Sequence, residues 1–283
     1  MTGAALSRTR IRTIQAGPFA LGEGPIWHAG ALWWIDILAP AIHRCGLDGG
    51  DLRTWPMPRP IGCIAPHRDG LLAGLEDGVH LFTPATGGLL RLAPHTDPGC
   101  RLNDGKVAPD GRFLVGGMSY AGEPSARLFA LNGGRLEPLV ERIGCSNGLA
   151  WSADGRTMYY IDTATRSIEA FAYRDGRLSD RRTIHVLSEG WPDGMTIDTE
   201  GQLWVAVWDG GCVLRLDPAS GAQTARIDLP ARRPTCPVFA GPDLDVLVVT
   251  TARTGLAEPA ADDGAMLALA VGCRGLPAAI ATS

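Results

Sequence analysis

Residues 148–163 read GLAWSADGRTMYYIDT: a glycine, a short apolar run, an Asp-Gly turn at Asp154 and Gly155, and a second apolar run. Apolar residues flanking Asp-Gly specify two antiparallel strands joined by a tight turn. The phrase is written five more times, as GPIWHAGALWWIDI (residues 24–37), GCIAPHRDGLLAGL (62–75), KVAPDGRFLVGGM (106–118), GMTIDTEGQLWVAVW (194–208) and PVFAGPDLDVLVVTTA (237–252). Aligned on Gly30, Gly70, Gly111, Gly155, Gly201 and Leu244, the copies recur roughly every 40 to 46 residues, the period of a propeller blade.

A third apolar run follows each copy, at residues 41–48, 78–84, 126–131, 167–173, 212–218 and 265–271. Weaker fourth runs stand at 52–55, 89–92, 136–140, 183–186 and 225–229, and the last copy has none. The chain opens instead with an orphan strand-like segment at residues 11–15. If it completes the sixth sheet, the ring closes without an exposed edge. The expectation is therefore an all-β, six-bladed β-propeller of four-stranded antiparallel blades. No linker-like stretch divides the 283 residues, so one domain is expected over 1–283, with 1–10 as a terminal arm.

Composition narrows the partners. A net charge of -4 offers no general attraction to nucleic acid or acidic lipid, and Arg8, Arg10 and Arg12 read as a solvated arm. No apolar run is long enough to span a membrane, and the opening MTGAALSRTR lacks a signal core, so cytoplasmic residence is expected. Seven cysteines, odd in number and without a CxxC pair, fit free thiols better than a disulfide framework. Cys63, Cys100, Cys145 and Cys236 border the expected site but read as small buried apolar residues. Recurrent tryptophans such as Trp27, Trp33, Trp34, Trp151, Trp204 and Trp208 read as packing between blades.

The copies differ where each first strand begins. In a propeller these strands line the channel, so the residues there form a ring at one mouth: Glu23, Gly62, Asn103, Asn147, Asp193 and Cys236. Glu23, Asn147 and Asp193 are each followed by glycine and an apolar residue. Taken singly, such residues cap turns. Together at equivalent positions they are a set of oxygen donors, and carboxylates converging on an axis repel unless a cation neutralises them. Hard ions suit such donors: Ca²⁺ first, with Mg²⁺ and Mn²⁺, while Zn²⁺ or Fe²⁺ can also sit on carboxylates. Three protein ligands leave positions open for water and substrate, the layout of a catalytic metal.

The segments LGEGP from Leu21, RLNDGK from Arg101, SNGLAWSADGRTMYYIDT from Ser146 and PDGMTIDTEGQLWVA from Pro192 resemble the gluconolactonase, regucalcin and luciferin-regenerating enzyme family. The likeness runs from about Gly22 to Arg253, and the tail from Cys236 to Leu256 looks especially like bacterial aldonolactonases. The resemblance implies a six-bladed propeller and a divalent-metal-dependent hydrolase opening sugar lactones. On that resemblance Glu23, Asn147 and Asp193 fall at the metal ligands, Asp193 at the catalytic base, and Arg101 and Asn103 at substrate contacts. One departure stands out: animal members carry an acidic substrate contact after the strand ending at Met118, whereas this chain reads Ser119, Tyr120, Ala121, leaving Tyr120 or Glu123 to replace it.

The expected reaction is hydrolysis of an aldonolactone such as a gluconolactone, xylonolactone or arabinonolactone. Either Asp193 or a water activated by the cation is the base. No serine or cysteine is read in a nucleophile motif, and the six histidines show no metal-ligand spacing. Two rivals remain: a phosphotriesterase or aryl-lactone hydrolase on the same scaffold, and a non-catalytic metal-binding regulatory propeller. The oligomeric expectation is a monomer or small homo-oligomer.

Overall fold

A computed structural model describes residues 9–282. Arg8 and the remainder of residues 1–8, part of the expected terminal arm, lie outside the described residues. The first strand, β1 (Ile11–Gln15), stands apart from the blade that follows it. Blade 1 comprises β2 (Gly22–His28), β3 (Ala31–Asp36), β4 (Ala41–Cys45) and β5 (Arg53–Pro56). Blade 2 comprises β6 (Ile61–His67), β7 (Gly70–Leu75), β8 (Gly78–Thr83) and β9 (Gly88–Pro94). Blade 3 comprises β10 (Cys100–Val107), β11 (Phe113–Ser119), β12 (Ala126–Asn132) and β13 (Arg135–Ile143). Blade 4 follows with β14 (Ser146–Trp151), β15 (Thr157–Asp162), β16 (Ser167–Arg174) and β17 (Arg177–Val186). Blade 5 contains β18 (Trp191–Ile197), β19 (Leu203–Trp208), β20 (Cys212–Leu216) and β21 (Gln223–Asp228). In blade 6, β22 (Pro234–Ala240), β23 (Val246–Thr251) and β24 (Met266–Ala270) are completed by β1, which pairs antiparallel with β24.

The six sheets form a ring because each innermost strand touches the next: β2 meets β6, β6 meets β10, and so on to β22, which returns to β2. This is the six-bladed propeller expected from the repeat. Its core is six apolar layers, one between each pair of neighbouring blades. Trp34, Leu32 and Cys45 of blade 1, for example, pack with Val248 and Met266 of blade 6 and Ile14 of β1. Trp34 and Trp204 are fully buried in these layers, so packing accounts for both.

The fourth strands explain why their runs were faint in the sequence. β17 is exposed along most of its length and begins at Arg177, six residues before the run at 183–186, because an outer strand needs no apolar face towards the channel. The hairpin turns adopt the left-handed conformation that Asp-Gly suggests, with φ of 69° at Gly155 and 79° at Gly201. Blade 6 has Leu244 there at 52°, a non-glycine held by packing in the blade 5–6 layer and by a hydrogen bond to its carbonyl from Gly275 N–H at 2.9 Å. No helix among the described residues is long and apolar enough to cross a membrane.

Candidate functional site

Each of the six innermost strands loses register with its neighbour near its start. The breaks fall between Glu23 and Ile26, Ile61 and Cys63, Leu102 and Gly105, Asn147 and Leu149, Pro192 and Met195, and Pro234 and Pro237. A bulge bends a strand and re-aims its side chains. Here the bulges fall on the ring positions. The glycines after the polar residues are needed for the same reason. A Cβ on Gly148 would lie 2.8 Å from Met195 Cβ and 2.9 Å from Asp193 O, and one on Gly194 would lie 2.6 Å from Cys236 Cα. The X-Gly-apolar pattern thus records inner strands in backbone contact with the next blade.

Two aspartates brace the entrances of these strands. Asp36, at the end of β3, accepts N–H bonds from Ala20 and Leu21 as the chain enters β2. Asp162, at the end of β15, accepts from Gly144 and Cys145 as it enters β14. Both acceptors are buried, and each holds its loop by several backbone N–H bonds to one side chain.

The polar residues at the starts of the inner strands lie together. Glu23, Arg101, Asn103, Asn147 and Asp193 are all buried, with 6–7% of their surface exposed. Arg101 Nη1 donates to Asn103 Oδ1 at 2.6 Å and to Leu102 O at 3.0 Å. Asn103 Nδ2 donates to Asn147 Oδ1 at 3.1 Å and to Ser146 O at 2.7 Å, while Asn147 Nδ2 donates to Thr163 Oγ1 at 2.8 Å. Thr163 Oγ1 in turn donates to Pro192 O at 2.7 Å, immediately before Asp193. One polar chain therefore runs through blades 3 and 4 to blade 5 and fixes the asparagine orientations.

Asp104 joins the acidic residues, a site residue that the repeat did not single out. It is buried, and its carboxyl is raised by burial against the pull of Lys106 and the Gly105 N–H. Glu23 is pushed up to about 8, first by burial and then by Asp104, although Gly24 N–H bonds its Oε2 at 2.7 Å and Arg101 opposes the shift. Asp193 is raised well above the usual carboxylate range by burial, then by Glu23 and Asp104, with Arg101 again opposing. No hydrogen-bond donor among the described residues relieves Asp193. Lys106 Nζ instead donates to Met195 O at 2.9 Å, tying blade 3 to blade 5 beneath the ring.

This donor set fits a hard divalent cation. Buried carboxyl groups that raise one another's pKa, one of them without a donor, are relieved by positive charge more than by further hydrogen bonding. Among the described residues no three His, Cys, Asp or Glu side chains converge at metal-ligand spacing; beside Glu23 and Asp193 the Asn147 amide oxygen would be the further donor to a cation. The bordering thiols are poor ligands: Cys63, Cys145 and Cys236 are raised in pKa, by burial first, and all seven cysteines are free.

Tyr120 stands apart from the buried ring. It is 55% exposed at the rim, and its hydroxyl donates to Glu76 Oε1 at 2.7 Å. Glu123 is exposed. Residues 144–148, GCSNG, carry the letters of a serine-nucleophile elbow, which corrects the reading that no such motif occurs. Ser146 nevertheless opens a strand, is fully buried, and its Oγ accepts from Tyr160 Oη at 2.8 Å. That is the opposite of an exposed serine on a strand-to-helix turn. A mostly apolar cavity of about 410 Å³ lies farther along the same six inner strands, lined by Trp27, Lys106, Trp151, Phe239 and the tail residues Leu276 to Ala279; none of the ring residues lines it.

Residues 21–253 match the family model described as SMP-30/Gluconolactonase/LRE-like region. The chain is 34% identical to regucalcin of Xenopus laevis over 89% of its own length and 90% of that protein's. It is also 34% identical to the Bacillus subtilis protein YvrE, whose name proposes a sugar lactone lactonase, over 84% of this chain and 85% of that one. A solved structure titled as a calcium-binding protein, regucalcin, from Agrobacterium tumefaciens superposes with a TM-score of 0.92 at 29% identity, covering 97% of this chain and 98% of that one.

Proposed function

The chain belongs to the SMP-30/gluconolactonase/LRE-like family, and from that premise we propose that it is a divalent-cation-dependent lactonase opening the ring ester of a sugar aldonolactone. The observation that carries this reading is the donor-free, buried Asp193 beside Glu23 and Asn147, with Arg101 as the neighbouring cationic side chain. The gluconolactonase in the family description and the name of YvrE support the ester chemistry, and the calcium-binding title of the Agrobacterium structure supports Ca²⁺ as the ion. Free thiols support a reducing, cytoplasmic setting. Every ring residue comes from one chain, so a monomer suffices for the site.

Glu23, Asn147 Oδ1 and Asp193 would hold the cation, which when bound would supply positive charge for the developing oxyanion of the ester carbonyl. The protein's own groups then divide the work. Arg101, fixed by Asn103, the Leu102 carbonyl and the Met118 sulfur, keeps its remaining N–H groups for lactone oxygens, and Asn103 and Arg101 orient the sugar. Asp193 takes a proton from the attacking water as the water oxygen bonds to the carbonyl carbon. The ring C–O bond then breaks, its oxygen takes the proton held by Asp193 and leaves as a hydroxyl, and the new acid ionises, releasing one proton per turnover.

That proton makes the test simple. Fresh glucono-, xylono- and arabinonolactones are followed with a pH indicator, with and without chelator. Enzyme-dependent acid release that chelation abolishes is expected; release no faster than spontaneous hydrolysis on every lactone removes the proposal.

A further inference from the structure

The acidic contact that the resemblance implies near Tyr120 is missing from that strand, yet a carboxylate does stand against Tyr120, supplied by the neighbouring blade. Glu76 follows β7 in blade 2 and Tyr120 follows β11 in blade 3, so both project from second-strand ends, the end at which the first strands and their ring residues begin. Both backbones are anchored: Glu76 N–H donates to Pro60 O at 2.9 Å and Tyr120 N–H to Gly99 O at 3.0 Å. The 2.7 Å bond from Tyr120 Oη occupies one oxygen of Glu76, and no other described side chain bonds that carboxylate. Arg101 pairs across the sheet with Met118, two residues before Tyr120, and Tyr120 N–H bonds Gly99, two residues before Arg101, so the rim pair and the arginine share one end of blade 3.

We infer that Glu76 is a specificity-determining substrate contact of this chain, receiving sugar hydroxyl groups on its free carboxylate oxygen, with Tyr120 as the positioning residue that holds it at the mouth. This rests on the lactonase reading. A carboxylate is an acceptor-only group with several lone pairs, which suits the hydroxyl donors of a polyhydroxylated lactone. The exposed ring of Tyr120 adds an amphipathic wall whose polar end is already committed. Arg101 then gives this end of the site donors for the ester oxygens, and Glu76 gives it an acceptor for the hydroxyls.

The test compares Glu76→Gln and Tyr120→Phe with wild type on gluconolactone and on monodeoxy analogues. Gln keeps an acceptor for Tyr120 and loses the charge. Glu76→Gln is expected to raise KM about tenfold, the loss of one charge-assisted hydrogen bond, with kcat within about twofold. Tyr120→Phe should raise KM in the same direction by less. The Glu76→Gln penalty should vanish on the one analogue lacking the hydroxyl that Glu76 receives, a result that a merely structural role would not give. Unchanged KM in Glu76→Gln on every lactone that wild type opens overturns the inference alone; a wild type that opens none overturns the lactonase reading instead.

Discussion

Glu23 and Asp193 are buried within electrostatic reach of each other and of Asp104, and their pKa values make the cation-free molecule pH-sensitive. Glu23 is held at about 8 in the fold against 4.5 ordinarily, burial being the main cause. Between those values the folded chain keeps a proton that the unfolded chain has released. Stability from this group is thus complete below about 4.5 and is lost as pH rises through 8, with a slope of up to about 1.4 kcal/mol per pH unit for each proton. Chelator-treated protein should melt at progressively lower temperature from pH 5 to pH 8, and Glu23→Gln should flatten the profile. A melting temperature that rises over that window contradicts the assignment. Cation binding should release protons, since the ligands must ionise. At the same scale, Arg101→Lys should raise KM about tenfold while leaving the melting temperature within a few degrees, because an ammonium cannot bond Asn103 and Leu102 and still present a fork to substrate.

At the scale of the strand, the site is a consequence of six bulges. A regular strand would send alternate side chains to opposite faces, whereas a break in register lets successive residues such as Asn103 and Asp104 both be buried at the mouth. Gly148→Ala should cost about 2–3 kcal/mol in denaturant unfolding, since its new Cβ meets the backbone of the strand carrying Asp193. A neutral result would mean that the blades are not in backbone contact there. Much of this was legible in advance, because Glu23, Asn147 and Asp193 sit at one phase of a repeat and each precedes a glycine. Asp104, Thr163 and Glu76 were not legible as site residues. Their roles depend on a bulge, on a side chain bridging to Pro192 in the next blade, and on a tyrosine from another blade, none of which leaves a periodic trace. The inner three strands of each blade were plain because they are apolar; β17 was half-hidden because its residues face solvent.

Over the whole molecule, closure of the ring keeps the mouth in one geometry. Blade 6 takes its fourth strand from the far end of the chain, and Ile14 is the residue by which β1 enters the layer between blades 6 and 1. Ile14→Ala should lower stability by about 2–4 kcal/mol, measured by denaturant unfolding, with the circular dichroism of the remaining sheets retained under native conditions. We also expect the ring to unfold as one domain, with tryptophan fluorescence and circular dichroism changing together.

The central claim is that Glu23, Asn147 and Asp193 hold one cation at which a sugar lactone is opened. The direct measurement strips the protein with chelator, returns a single divalent cation in steps, and follows aldonolactone hydrolysis by wild type and Asp193→Asn. The account predicts that wild-type activity is lost on stripping and restored at one cation per chain, while Asp193→Asn stays folded and at least about a hundredfold slower. Full activity of the stripped protein, or normal turnover by Asp193→Asn, would contradict it.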